Sequence, residues 1–265
     1  MTNTSNNCET CPVHHSTYLK KLGVNMDSWD YVLALAGNPN TGKSTVFNAL
    51  TGLRQHTGNW PGKTVTRAEG GFLYQEKRYK IVDLPGSYSL LSTSTDEEIA
   101  RNFILFGKPD VTVIIMDATR IERNLNLTLQ ILEITDRIVI CLNLMDEAGR
   151  HQLHIDDRKL SRELGVPVVP TSARRGVGIQ ELTKSIHDVA NGLFVCKPHR
   201  IKSGSKPLKS AVSQLVNKIE NRFAGISNAR WIALRLLEGD PRIIEAVQEG
   251  ELENLYQKEE NRETI

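Results

Sequence analysis

The sequence predicts an α/β fold: a mostly parallel central sheet flanked by helices, followed by a small all-helical C-terminal module. Three observations lead there. Between Tyr31 and Gly192, apolar runs of strand length alternate with segments of helical spacing, the pattern of a sheet buried on both faces. The first of these runs ends in GNPNTGKST, Gly37 to Thr45, which has the outline of a phosphate-cradling P-loop. Beyond Gly192 the strand signals stop and only helical periodicity remains.

The elements follow in order. Residues 1–28 are polar and turn-rich as far as STYLKKLGV, and are expected to form a weakly ordered extension with one short helix. YVLALA is a short apolar strand leading into the glycine loop, and STVFNALTG continues it as a helix through Val46, Phe47 and Leu50, stopped by Gly52. AEGGFLY and KRYKIVDL read as a hairpin pair, VTVIIMDA as a buried strand, and LNLTLQILEI as a helix with Leu125, Leu129 and Leu132 on one face. RIVICLNL and VPVVP are further strands, and GIQELTKSIHDVANG is a closing helix. FVCKPHRIKSGSKP has linker composition. After it, Leu208, Val212, Leu215, Ile219 and Phe223 recur at helical intervals. Ser227 is placed to cap the start of NARWIALRLLEG, Gly239 to end it, and Pro241 to open a last helix. The division is therefore an extension (1–28), a nucleotide-binding domain (29–192), a linker (193–205) and a helical domain (206–265).

Composition narrows the function classes. The 265 residues are 39% hydrophobic, enough for a large core, and 33 basic against 31 acidic residues leave a net charge of +2. Nothing in that balance calls for a nucleic-acid groove, and no nucleic-acid partner is expected. The most apolar stretch, Val111 to Met116, falls far short of the ~18 residues of a membrane span. MTNTSNNCETCPVHH lacks the basic and apolar regions of a secretory signal. Four cysteines, with Cys141 in an apolar run and Cys196 solitary, make no disulfide framework, so a reducing cytosolic setting is the default.

Four motifs share one chemistry. In the first loop, Gly37, Asn38, Pro39, Asn40, Thr41, Gly42, Lys43, Ser44 and Thr45 would wrap a triphosphate with backbone N–H groups and a helix N-terminus. Lys43 would reach the β- and γ-phosphates and Ser44 would ligate Mg²⁺. The bland alternative is a glycine turn before a helix. DLPG (Asp83, Leu84, Pro85, Gly86) closes a strand, where Asp83 can hold Mg²⁺ through water and Gly86 can offer its N–H to the γ-phosphate. Read alone it is a Pro-Gly turn. NLMD (Asn143, Leu144, Met145, Asp146) follows another strand. A carboxylate at Asp146 accepts both the ring N–H and the exocyclic amine of guanine, a pair adenine lacks, and Asn143 would tie this loop to the first. Read alone it is a helix N-cap. TSA (Thr171, Ser172, Ala173) comes last, with the Ala173 N–H aimed at guanine O6. The order of the four, each at a strand end, is what decides for a P-loop GTPase.

At this point the chain resembles the translation-factor-related GTPases, and more closely the cytosolic N-terminal region of the ferrous iron transport protein B family. The residues that carry the resemblance are GNPNTGKSTVFNALTG, HTGNWPGKTVTRAEG, VDLPGSYSL with STDEEIAR, NLMDEA, VPVVPTSARRGVG and LLEGDP, over residues 31 to 241. GNWPGKTV is the most specific of them. The resemblance implies a GTP- and GDP-binding domain that hydrolyses GTP, followed by a helical domain that influences GDP release. The partner it implies is a membrane Fe²⁺ permease domain, on the same polypeptide or a separate chain, which places this region in the cytoplasm at the inner face of the cell membrane. Homo-oligomerisation is left open. Ser87 stands where many GTPases carry the glutamine that orients water. Similar proteins use K⁺ to supply positive charge there. The resemblance implies Asn40 and the backbone carbonyls of Gly58 and Trp60 as ligands of that ion, and Gly62, Lys63 and Thr64 as switch residues touching the nucleotide. Thr64 would join Ser44 and Asp83 on Mg²⁺, and Asn40, Lys43, Thr64 and Gly86 would act on the reacting phosphate. Asn40 also suits a turn in PNTG, Trp60 a partly buried loop anchor, Tyr88 and Tyr18 plain packing, and Arg67 a solvent-facing place on a strand.

CETCPVHH brings Cys8, Cys11, His14 and His15 within eight residues, a set that could hold Zn²⁺ or Fe²⁺. With one CxxC and no second pair, a flexible or redox-active tail fits equally. Two other readings of the whole chain stand beside the transporter switch: a soluble GTPase of ribosome assembly or tRNA modification, and a nucleotide sensor with negligible turnover.

Overall fold

A computed structural model describes residues 19–252, apart from 21, 53–54, 92–93, 201–204, 224–225, 227 and 251. Seven strands form one sheet in the order β2-β3-β4-β1-β5-β6-β7. They are β1 (Tyr31–Gly37), β2 (Gln55–Asn59), β3 (Thr66–Tyr74), β4 (Lys77–Asp83), β5 (Val111–Asp117), β6 (Ile138–Asn143) and β7 (Val168–Pro170). From β4 to β7 the pairing is parallel, while β3 runs antiparallel to β4 and β2 to β3. Every residue of β5 and β6 is buried, which explains why these strands read as unbroken apolar runs: helices cover both faces. The chain turns opposite ways from β1, towards β4 on one side and β5 on the other, and the crevice at their carboxyl ends is where such sheets bind ligands.

The helices are α1 (Lys43–Thr51), α2 (Thr95–Gly107), α3 (Ile121–Ile134), α4 (Met145–Arg150), α5 (Asp157–Leu164) and α6 (Ile179–Ala190), then α7 (Lys206–Arg222), α8 (Ala229–Leu237) and α9 (Pro241–Gln248). Gly52 ends α1 in the left-handed conformation expected of it. In α3 the buried stripe is Leu127, Thr128, Ile131, Leu132 and Ile134, so the expected face is corrected: Leu125 and Leu129 are only partly buried. In α7 the stripe is buried at Val212 and Ile219 and continues to Phe223, but Leu208 is exposed and Leu215 only partly covered. Ser227 lies outside the described residues, and Asn228 occupies the N-cap position of α8.

Two segments expected to be loose are tied to the sheet domain. Leu19 and Val24 are fully buried, and Arg67 Nη1 and Nη2 donate to the carbonyls of Leu22 and Gly23 at 2.7 and 2.8 Å. Lys80 Nζ donates to the carbonyl of Asn25 at 2.8 Å. Arg67 therefore does not face solvent; it is held by these carbonyls and by Glu69 at 2.8 Å. Likewise residues 193–200 are fastened to the sheet domain: Cys196 is buried, and the N–H groups of Lys197 and His199 donate to Gly165 and Leu164. Four elements, β2, α2, α4 and α5, went unread in the sequence. The edge strand β2 is polar and shows no alternation, and α4 and α5 are too short for a period to emerge. Helix α2 was legible in principle, since Ser94 and Glu97 form a capping-box spacing and the Ser94 hydroxyl accepts the Glu97 N–H at 3.3 Å.

Candidate functional site

At the carboxyl end of β1, the chain passes through Asn40 at φ +66° and Gly42 at φ +81° before α1 begins. A Cβ on Gly42 would lie 2.4 Å from Asn143 Nδ2, so this position demands glycine for space as well as for conformation. The loop is braced by its own side chains: Thr41 Oγ1 donates to the carbonyl of Asn38 at 2.9 Å, and Asn38 Nδ2 donates to the carbonyl of Arg123 at 3.2 Å. It opens on a cavity of about 450 Å³ lined by Asn38, Pro39, Asn40, Gly42, Lys43, Ser44, Thr45 and Gly86. That lining joins the first loop to DLPG across the sheet edge.

Lys43 Nζ pairs with Asp83 Oδ1 at 2.5 Å. Burial raises the Asp83 pKa, and the Lys43 charge beside it draws it part of the way back. Gly86 meets the loop closely, a Cβ there falling 3.4 Å from Pro39. The Ser87 N–H donates to the carbonyl of Gly37 at 3.3 Å. The hydroxyl and carboxylate of Ser44 and Asp83 are the hard oxygen donors that suit Mg²⁺.

Asn143 joins three of the strand-end loops. Only 1% exposed, it donates from Nδ2 to the carbonyl of Thr41 at 3.0 Å, and its Oδ1 accepts the Ala173 N–H at 3.0 Å and the Thr171 hydroxyl at 3.3 Å. The helix-cap alternative for NLMD does not describe this structure, because the N-cap of α4 is Leu144 in left-handed conformation with no side-chain bond. The Ser172 hydroxyl accepts the Asp146 N–H at 3.1 Å. Partial desolvation pushes the Asp146 pKa up, but hydrogen bonds from its own backbone and Ser172, with the Arg150 charge, outweigh it and hold the carboxyl below its usual range. It is thus an anion at neutral pH, an acceptor for paired N–H donors. Behind these loops Cys141 lies 3.1 Å from the Thr171 hydroxyl, and burial pushes its thiol up to about 12.

A family model described as Ferrous iron transport protein B matches residues 31–186, and one described as FeoB cytosolic helical domain matches residues 205–265. The chain belongs to the ferrous iron transport protein B family. The Fe(2+) transporter FeoB of Salmonella typhimurium is 41% identical over 214 residues, 78% of this chain and 27% of the relative. That of Escherichia coli K12 is 41% identical over 212 residues, with the same coverage. The chain therefore spans about a quarter of the length of the curated relatives it matches. Among solved structures, the cytosolic domain of the T. maritima FeoB iron transporter in a GDP form is 38% identical with a TM-score of 0.74, covering 82% of this chain and 85% of that one. Its GMPPNP form scores 0.72 at 38% identity over the same coverage. The cytosolic domain of L. pneumophila FeoB is 36% identical, scores 0.71, and covers 86% of this chain and 95% of that one. The family match does not favour the ribosome-assembly reading.

In this member of the FeoB family the switch segment departs from expectation in shape. Gly58 and Asn59 end the edge strand β2, paired with Arg67 and Thr66, rather than forming a loop. Trp60 is buried edge-on against Phe103 at 5.6 Å, and its carbonyl accepts the Lys63 N–H at 3.0 Å. Gly62, Lys63 and Thr64 are exposed and do not line the cavity, and Lys63 pairs with Glu98 at 3.1 Å. The Ala173 N–H, expected to face guanine, is committed to Asn143. Tyr88, expected to pack, is half exposed beneath the Arg123 guanidinium. Cys8, Cys11, His14, His15 and Tyr18 lie outside the described residues. Among the described residues no group of three or more His, Cys, Asp or Glu is placed to hold a metal, and no helix is long and apolar enough to cross a membrane.

Proposed function

We propose that this chain binds GTP and hydrolyses it slowly, with K⁺ stimulation, as the cytosolic switch of a ferrous iron transporter. In this reading it works at the inner face of the cell membrane, coupled to an Fe²⁺ permease domain. The observation that carries the proposal is the junction at Asn143, where one buried amide holds together the phosphate-side loop at Thr41 and the base-side loop at Ala173. A site that must grip both ends of one nucleotide needs such a link, and a glycine turn before a helix does not.

Lys43 would exchange its contact with Asp83 for the β- and γ-phosphates, leaving the carboxylate to face Mg²⁺ through water beside Ser44. Thr64 would join them on closure of the switch segment, and the Gly86 N–H would meet the γ-phosphate. Asp146 would select guanine by accepting its ring N–H and amine. Mg²⁺ and K⁺ would supply fixed positive charge where the phosphate oxygens gain negative charge in the transition state. Asn40, exposed and lining the cavity, is free to turn towards K⁺. The Trp60 carbonyl, which accepts the Lys63 N–H, keeps a second lone pair that would face the ion, so the ion and the switch turn would be held by one oxygen. Ser87 is too short to orient water as a glutamine does, which accounts for slow turnover.

Calorimetry is expected to find GTP and GDP bound and ATP not. Asp146→Asn should cost roughly 100-fold in GTP affinity, the worth of two hydrogen bonds to a charged group, and gain xanthosine triphosphate in exchange. Equal affinity for ATP and GTP would remove the guanine assignment. Turnover should be faster in KCl than in NaCl, and Asn40→Ala should erase that difference; a wild-type rate indifferent to the cation would refute the K⁺ role.

A further inference from the structure

Of the residues that follow Gly86, Tyr88 and Leu90 are held by one face of α3, while the Ser89 hydroxyl between them donates to Glu97 of α2 at 2.7 Å. Arg123, Asn126 and Gln130 stand at i, i+3 and i+7 and so share one side of the helix. The Arg123 guanidinium lies 4.6 Å over the Tyr88 ring. Asn126 Nδ2 donates to the carbonyl of Tyr88 at 3.1 Å, and Gln130 Oε1 accepts the Leu90 N–H at 2.6 Å. The two amides orient each other, Gln130 Nε2 donating to Asn126 Oδ1 at 3.2 Å. Leu90, at the end of the gripped stretch, is buried. The same helix is tied to the phosphate loop, because the carbonyl of Arg123 accepts Asn38 Nδ2 at 3.2 Å, and Asn38 is itself buried.

Gly86 thus sits between two anchors on a common body. On one side the Ser87 N–H bonds to the carbonyl of Gly37 at 3.3 Å. On the other, Tyr88 and Leu90 are bound to a helix that also holds Asn38. We infer that Arg123, Asn126 and Gln130 are positioning residues which fix the Gly86 N–H against the phosphate loop, so that the γ-phosphate, and not the diphosphate, reads their integrity. This deepens the GTPase reading and rests on it. Only the triphosphate reaches Gly86, whereas Lys43, Asn143 and Asp146 hold GDP equally well. Releasing the rail should therefore leave GDP affinity alone and cost the triphosphate its placement, a sub-ångström to ångström matter to which phosphoryl transfer is sensitive.

The test is the doubly substituted chain Asn126→Ala/Gln130→Ala beside Asn126→Ala/Gln130→Glu, which restores only the acceptor for the Leu90 N–H. Three quantities are compared with wild type: affinity for a fluorescent GDP, affinity for a non-hydrolysable GTP analogue, and single-turnover GTP hydrolysis. The double variant is expected to keep the GDP affinity while losing about tenfold in hydrolysis, the scale of one or two hydrogen bonds, and to bind the analogue more weakly relative to GDP. Asn126→Ala/Gln130→Glu should recover part of the rate. If the wild type hydrolyses GTP and the double variant matches it in rate and in the analogue-to-GDP ratio, the rail is refuted while the GTPase reading stands. If the variant loses GDP and analogue affinity equally along with thermal stability, the role is structural and the inference falls too. A wild type that binds no GTP removes both.

Discussion

At Asn143 a single amide is divided between loops more than a hundred residues apart in the chain, donating to Thr41 and accepting from Thr171 and Ala173. Asn143→Ala strands the Thr41 carbonyl and the Ala173 N–H together, while the Thr171 hydroxyl keeps Cys141 and the Leu142 carbonyl. Each unsatisfied group costs about 1–3 kcal/mol, partly recovered by relaxation or water, so a loss of roughly 2–4 kcal/mol is expected in urea unfolding. Nucleotide affinity should fall in parallel; unchanged stability would mean the loops hold their places without the amide. The identity of this residue was readable in the sequence, because a loop-tying asparagine recurs at one place in an ordered set of motifs. Its partners were less so. The sequence placed the Ala173 N–H on guanine, yet the nearest acceptor in the fold is the Asn143 side chain, a matter of loop geometry that composition does not encode. Trp60 was open between ion loop and packing anchor, and its contact with Phe103, 5.6 Å between ring centroids, depends on where α2 lies.

Among elements, the instructive pair is α2 and α9. Arg101 on α2 is 1% exposed, and its Nη1 pairs at 2.5 Å with Asp240, which caps α9 by accepting the N–H groups of Arg242 and Ile243. Burial lowers the Arg101 pKa, with Asp240 opposing the shift. A pair of this kind is weak as net stabilisation but costly to break from one side. Arg101→Met should therefore cost about 3 kcal/mol, the low end for a stranded buried charge because the cap bonds remain. Adding Asp240→Asn, which can still cap, should return a good part of it. Urea unfolding of the two single variants and the double variant checks this; strict additivity would show that the groups do not depend on each other. The contact was invisible in the sequence, whose capping signals at Ser94 and Pro241 mark where helices start but not what they touch. Strand existence, by contrast, was legible wherever both faces are buried, as in β5 and β6, and failed at the polar edge strand β2, where no burial exists to leave a pattern.

For the whole molecule, the question is where the sheet domain begins. The polar, turn-rich character of residues 1–28 suggested a loose lead, but Leu19 and Val24 are fully buried in the same core as β1 and β4, with Leu22 and Met26 packed beside them. This segment also supplies the carbonyls of Leu22, Gly23 and Asn25 that receive Arg67 and Lys80. Both cations share Glu69, at 2.8 and 2.6 Å, so two positive charges meet one carboxylate and the carbonyls absorb the excess. A chain that starts at Asp30 would lose all of this at once. Uncovering the partners of two fully buried aliphatic side chains costs about 1.5–3 kcal/mol each, and the cations lose acceptors besides. For a chain of this size each kcal/mol lowers the melting temperature by roughly 2–4 °C, so a fall of about 10 °C or more is expected in a thermal melt of the shortened chain. Leu19→Ala with Val24→Ala in the full chain should reproduce a large share of that fall if apolar burial dominates, and little of it if the carbonyl acceptors do. The phosphate and base loops lie at the opposite end of β1 from its junction with this segment, whereas Gly23 lies beside Pro61 of the switch segment. GDP affinity measured well below the melt should therefore survive the truncation, and its loss there would mean that the segment shapes the site as well as the core.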